Sequence, residues 1–167
     1  KQEKKILIAT QSNPIFRHSF TANYFVYDIV AKKLQKFTDK AIQEPTFSPD
    51  GNSVAYAFEN NLYLTNLISG VTTQMTKDGK KNAIINGITD WVYEEEFSFV
   101  KAFDWNADGT KIAFIRFDET NVPEFSMDIY NEGLYPTQNV FKYPKAGEKN
   151  AEVSLHVFDI KTNNVST

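Results

Sequence analysis

Phe47-Ser48-Pro49-Asp50-Gly51-Asn52-Ser53-Val54-Ala55-Tyr56-Ala57 returns in kind as Trp105-Asn106-Ala107-Asp108-Gly109-Thr110-Lys111-Ile112-Ala113-Phe114-Ile115. Each copy reads as an aromatic residue, an Asp-Gly turn, and a strand of apolar, β-branched and aromatic residues. Asp-Gly between strands supplies the positive φ that a two-residue hairpin turn wants. A second unit repeats around the first. Residues 24–29 lead through Lys32-Lys33 into 34–37, residues 62–67 through Ser69-Gly70 into 71–75, and residues 155–160 through Asn163-Asn164 into Val165. Asp28-Ile29, Asn66-Leu67 and Asp159-Ile160 hold the same place at the strand exit. Four short antiparallel strands every ~40 residues are the signature of a propeller blade. The expected fold is therefore all-β: a partial β-propeller of about two to three four-stranded antiparallel blades, from residues 6–38, 46–76 and 102–167. Propellers close with roughly four to eight blades, so residues 1–167 are expected to be one fragment of a larger propeller domain.

The bulk composition agrees with a folded, strand-rich chain. Its 167 residues are 41% apolar and 14% aromatic, with phenylalanine alone occurring 14 times, which favours strands over helices. A net charge of −3 and the lack of a long basic run give no reason to expect nucleic acid. No cysteine is present, so disulfides and thiolate metal sites are excluded. No apolar run approaches the ~18 residues of a membrane span. The start, Lys-Gln-Glu-Lys-Lys-Ile-Leu-Ile, lacks the hydrophobic block of a signal peptide, and the first residue is not Met. The expectation is a piece of something longer.

Two insertions break the repeat. Residues 78–100 carry three consecutive glutamates, Glu94, Glu95 and Glu96, among bulky apolar side chains. Thr89 or Asp90 can cap a short helix there. Trp91, Val92 and Phe97 can then anchor one side while the glutamates splay from another. The second insertion opens at Thr120, closes at Asn150, and is rich in aromatics (Phe125, Tyr130, Tyr135, Phe141, Tyr143). A stretch this long in a compact domain is functional or mobile. Its apolar side chains point to a partner surface, or else fold back on their own blade.

Candidate chemistry is sparse outside the glutamates. His18 and His156 are the only histidines, and there is no Gly-x-Ser-x-Gly elbow, so no catalytic residue is assigned within the chain. Asp104-x-Asn106-x-Asp108-Gly109 matches the front of a calcium loop, but Ile115 stands where a bidentate Glu is required. No metal or other cofactor is expected. Asn164-Val165-Ser166 is a formal glycosylation sequon and carries no weight. Adjacent carboxylates cost free energy unless a cation repays it, so Glu94 to Glu96 form either a solvated face or a cation trap. The chain has two arginines, Arg17 and Arg116. Arg17 lies in a loop of the first blade, where a guanidinium could face the glutamates and order two carboxylates by forked hydrogen bonds.

The run Asn86-Gly87-Ile88-Thr89-Asp90-Trp91-Val92-Tyr93-Glu94-Glu95-Glu96 resembles the double-Glu motif of the dipeptidyl peptidase IV family, within the prolyl oligopeptidase superfamily. Arg17-His18-Ser19-Phe20-Thr21-Ala22-Asn23-Tyr24 resembles the family's Arg-containing loop, and Asn121-Val122-Pro123 and Tyr143-Pro144-Lys145-Ala146-Gly147 also have counterparts. The resemblance implies an eight-bladed propeller over an α/β-hydrolase domain that bears the Ser-Asp-His triad and is absent from this chain. It implies that Glu95 and Glu96 bind the free α-amino group of a peptide substrate, and that Arg17 contacts the substrate carbonyl and the glutamates. It further implies release of N-terminal X-Pro or X-Ala dipeptides, a homodimer through about residues 120–150, and a periplasmic or secreted location. After Glu96 the chain runs Phe97-Ser98, one residue shorter than the Val-Phe-Ser of mammalian members, so no role is carried to Ser98. Two rivals remain: a non-catalytic propeller that binds peptides or proteins, and a carboxylate-pair glycosidase. Adjacent helical glutamates beside an arginine suit ion pairing better than an opposed acid and nucleophile.

Overall fold

The computed structural model describes residues 4–167 and contains three antiparallel sheets, one antiparallel arm and one short helix. The first sheet orders β1 (Lys5–Pro14), β2 (Phe20–Asp28) and β3 (Lys33–Lys36) side by side. The second is a complete four-stranded meander of β4 (Gln43–Phe47), β5 (Ser53–Phe58), β6 (Asn61–Asn66) and β7 (Thr72–Gln74). In the third, β10 (Lys111–Asp118) is central. It pairs on one side with β13 (Glu152–Asp159), which carries β14 (Asn164–Ser166), and on the other with both β8 (Ile84–Asn86) and β9 (Phe103–Trp105). The helix α1 (Trp91–Phe97) sits between β8 and β9, and the arm of β11 (Glu124–Ile129) and β12 (Thr137–Lys142) sits between β10 and β13. No helix among the described residues is long and apolar enough to cross a membrane.

The repeated sequence folds into repeated turns, but not the turn expected. Five residues, not two, join β4 to β5 and β9 to β10. Only the glycine takes positive φ, +72° at both Gly51 and Gly109. The aspartate takes the turn by its side chain instead: Asn52 N–H donates to Asp50 Oδ1, and Thr110 N–H to Asp108 Oδ1, both at 3.0 Å. The strand-exit residues act alike: Asp28, Asn66 and Asp159 each accept turn N–H groups through Oδ1.

Two cores flank the middle sheet. Val54 and Tyr56 face Tyr24, Val26 and Ile42, while Ala55 and Ala57 face Phe103, Ile112, Phe114 and Phe158. Successive strand residues point to opposite faces, and here both faces are covered, so these four residues are buried. The outer face of the first sheet keeps Ile6, Ile8 and Leu34 exposed, and β13 keeps Val153 and Leu155 exposed.

Candidate functional site

The helix is an excursion stitched shut at its base. Thr89 N–H donates to Val100 O, Ala102 N–H to Gly87 O, and the Thr89 hydroxyl to Phe99 O. Gly87 has φ +74°, and a Cβ there would lie 2.5 Å from Leu62 Cδ2, so both backbone and space require glycine. Asp90 is the N-cap and accepts from Tyr93 N–H at 2.9 Å; Thr89 is spent on the stitch. Burial pushes the Asp90 carboxyl up, against the pull of the helix N–H groups. Seven residues make a marginal helix alone, so tertiary contacts hold it. Tyr93 packs edge-on against Phe117 at 4.9 Å between ring centres, and Trp91 lies 4.6 Å from Tyr143. Tyr93, not Phe97, is thus the inner anchor; Phe97 is 63% exposed.

The three glutamates have three different surroundings, because consecutive helical side chains diverge by about 100°. Glu94 is buried, and its Oε1 accepts the backbone N–H groups of His18 at 2.6 Å and Ser19 at 2.9 Å. Glu95 is partly buried and its Oε2 lies 3.1 Å from Arg17 Nε. Glu96 is exposed and has no ion pair among the described residues. The structure therefore joins Arg17 to Glu95 and leaves Glu96 beside them in solvent. Glu94 was not singled out in the sequence, although it stands at i+4 from the capping Asp90 and i+3 from the half-buried Trp91, which share its face.

The arm is a hairpin rather than an irregular loop, and its root folds back. Phe141 lies 5.8 Å from Phe16 of the Arg17 loop and 6.0 Å from Phe125, and Tyr143 meets Trp91 of α1. One aromatic cluster thus ties together arm, loop and helix. At the tip, Tyr130, Leu134 and Tyr135 stay exposed. His156 is a sheet residue, stacked on Phe114 with its ring nitrogens at Ser154 and Thr167.

Between the loop of Phe16, the start of α1 and the arm, a cavity of about 600 Å³ is lined by Phe16, Asp90, Trp91, Glu119, Phe141 and Lys142, among others. Glu119 is 5% exposed; burial first, and the Asp90 charge second, push its carboxyl from 4.5 up to about 7. A carboxyl raised in the fold contributes stability that is whole below the unfolded value and lost as pH rises through the folded one. Stability relative to Glu119→Gln should therefore fall between pH 4.5 and 7, by up to about 3 kcal/mol at 1.36 kcal/mol per pH unit. Denaturation of both proteins across that window checks this; a constant difference would contradict it.

Comparison with known proteins gives a consistent set of relatives. The family model described as "Dipeptidyl peptidase IV (DPP IV) N-terminal region" matches residues 1–167. "Probable dipeptidyl-aminopeptidase B" of Talaromyces stipitatus is 38% identical over 178 residues, covering 97% of this chain and 20% of the relative. The protein of the same name from Talaromyces marneffei is 40% identical over 174 residues, covering 95% and 19%. Among solved structures, the crystal structure of Porphyromonas gingivalis dipeptidyl peptidase 4 superposes with a TM-score of 0.92 at 41% identity, covering 98% of this chain and 24% of that one. The chain spans about a fifth of the length of these curated relatives.

Proposed function

Since the chain belongs to the dipeptidyl peptidase IV N-terminal region family, we propose that it is the substrate-recognition part of a serine exopeptidase, and that it captures the free N-terminus of a peptide. The three sheets are then successive blades of a propeller. The exposed apolar faces on β1 and β13 are where further blades stack, and an α/β-hydrolase domain of the same parent chain supplies the triad. Release of X-Pro or X-Ala dipeptides, a homodimer through the arm at residues 120–150, and a periplasmic or secreted location complete the reading.

The observation that carries it is the Arg17–Glu95 pair at 3.1 Å with Glu96 next to it. The Arg17 guanidinium satisfies one side of Glu95 by a charge-assisted hydrogen bond. The second carboxylate has no partner of its own among the described residues, so an ammonium can bridge the two. An ammonium ~4 Å from a carboxylate gains about 4 kcal/mol at an effective dielectric of ~20, before desolvation. Two extended residues span roughly 7 Å, so a fixed amine places the second peptide bond at a constant distance from the trap. Binding at a remote point then serves to position the reacting bond.

N-acetylation tests this directly. In the parent enzyme, kcat/KM for an N-acetylated X-Pro substrate should drop by roughly 10²–10³-fold against the free amine, because the acidic pair is left without its cation. Equal turnover of both substrates would remove the amine-anchor role.

A further inference from the structure

We propose that Glu94 is a positioning residue for N-terminus recognition: its buried carboxylate clamps the backbone of the Arg17 loop and thereby sets where Arg17 meets Glu95. The proposal rests on the amine-trap reading above and adds to it a residue outside the trap.

Arg17 does not locate itself. Its side chain is 72% exposed, and among the described residues it pairs with Glu95 alone. An ion pair whose guanidinium stands in solvent holds that long side chain only weakly against its rotamer freedom. The loop closes on itself through Ile15 N–H to Ser19 O at 2.8 Å and Phe16 N–H to the Ser19 hydroxyl at 3.2 Å. Those bonds shape the turn but do not attach it to α1. The two bonds from His18 and Ser19 to Glu94 Oε1 do, across 76 and 75 residues of sequence.

The location of those bonds strengthens them. Glu94 is 1% exposed, so water cannot readily substitute for it, and a charged acceptor makes stronger bonds to N–H groups than a neutral one. The fold also tolerates a cost here, since Glu94 Oε2 is buried without a hydrogen-bond partner. Burial of a carboxylate with one oxygen unsatisfied is explained by what the other oxygen holds. One helical turn therefore grips the loop twice: Glu94 takes its backbone, and Glu95 takes the guanidinium that the backbone delivers.

A double-mutant cycle in the full-length enzyme tests this, with kcat and KM measured on a free-amine X-Pro substrate for Glu94→Gln, Arg17→Ala and the pair. Glu94→Gln keeps an oxygen acceptor but loses the charge, and should lower kcat/KM by roughly 10-fold, largely through KM. In the Arg17→Ala background the same change should cost less than about 2-fold, because nothing is left for it to position. Equal losses in both backgrounds, or no loss from Glu94→Gln alone, would overturn the proposal. A merely structural Glu94 would lower the unfolding temperature and give additive losses. If Glu94→Gln fails to fold, the cycle is run with Glu94→Asp, which keeps the charge on a shorter stem. Glu95→Gln and Glu96→Gln are measured alongside: normal turnover in both sinks the amine trap itself. Loss of turnover in Glu95→Gln with an additive cycle sinks only the role of Glu94.

Discussion

Glu95→Gln and Glu96→Gln, each made in the full-length parent protein, should lower kcat/KM on X-Pro substrates, the activity proposed above, by roughly 10²–10³-fold while leaving the fold intact. Neither side chain carries the helix. Tyr93 and Trp91 do that through Phe117 and Tyr143, so an amide in place of either acid leaves packing unchanged. The loss is electrostatic: an amide presents no net charge to an ammonium, and truncating one partner of a charge pair that bound substrate closes off from water costs about 2–5 kcal/mol. Glu95 has a second part, since Arg17 is fixed against it at 3.1 Å and would be left without its counter-ion. The effect of Glu96, exposed in the described structure, should shrink more steeply with added salt. Steady-state kinetics at two ionic strengths checks both statements. Near-normal kinetics in both variants would mean that the acidic pair does not bind the amine.

Phe117→Ala should be the most damaging change to the scaffold beneath the site. Phe117 is 0% exposed and lies under Tyr93, 4.9 Å between ring centres. Truncation of a buried phenylalanine removes its transfer free energy and leaves a cavity that relaxes only in part, costing about 3–5 kcal/mol. Because Tyr93 is the inner anchor of α1, the loss should also loosen the glutamates, so kcat/KM falls with stability. Phe97→Ala, one turn after Tyr93, 63% exposed and stacked on the Tyr93 ring at 5.0 Å, should cost only about 0.5–1.5 kcal/mol. Chemical denaturation of the two variants tests the contrast. Similar losses would show that the helix is held from its outer side.

The repeats were legible because they rest on local chemistry. An aspartate or asparagine at a strand exit satisfies the N–H groups of its own turn, so Asp28, Asn66 and Asp159 behave alike wherever they stand. The same chemistry explains what the Asp-Gly pairs concealed. A side-chain acceptor at Asp50 stabilises a longer connection than the backbone-only hairpin read from the dipeptide. The arm also carried a signal of its own: residues 124–129 alternate Glu-Phe-Ser-Met-Asp-Ile, the period of a half-covered strand. Within the helix, three identical acids gave no local reason to prefer one as the buried member. Only the phase set by Asp90 could have placed Glu94 inside. The meeting of Arg17 with Glu95 lies beyond any local pattern, because it depends on the first and third sheets flanking the second.

Val54, Ala55, Tyr56 and Ala57 are all within 1% of complete burial, so β5 has no wet face on which a charged residue could sit. A short uncharged apolar segment of high strand propensity is a self-association hazard whenever it is exposed during synthesis. Its safeguards must therefore stand at its ends. Asp50 on one side and Glu59 on the other are the nearest charges that bracket it, acting as gatekeepers until the neighbouring sheets dock.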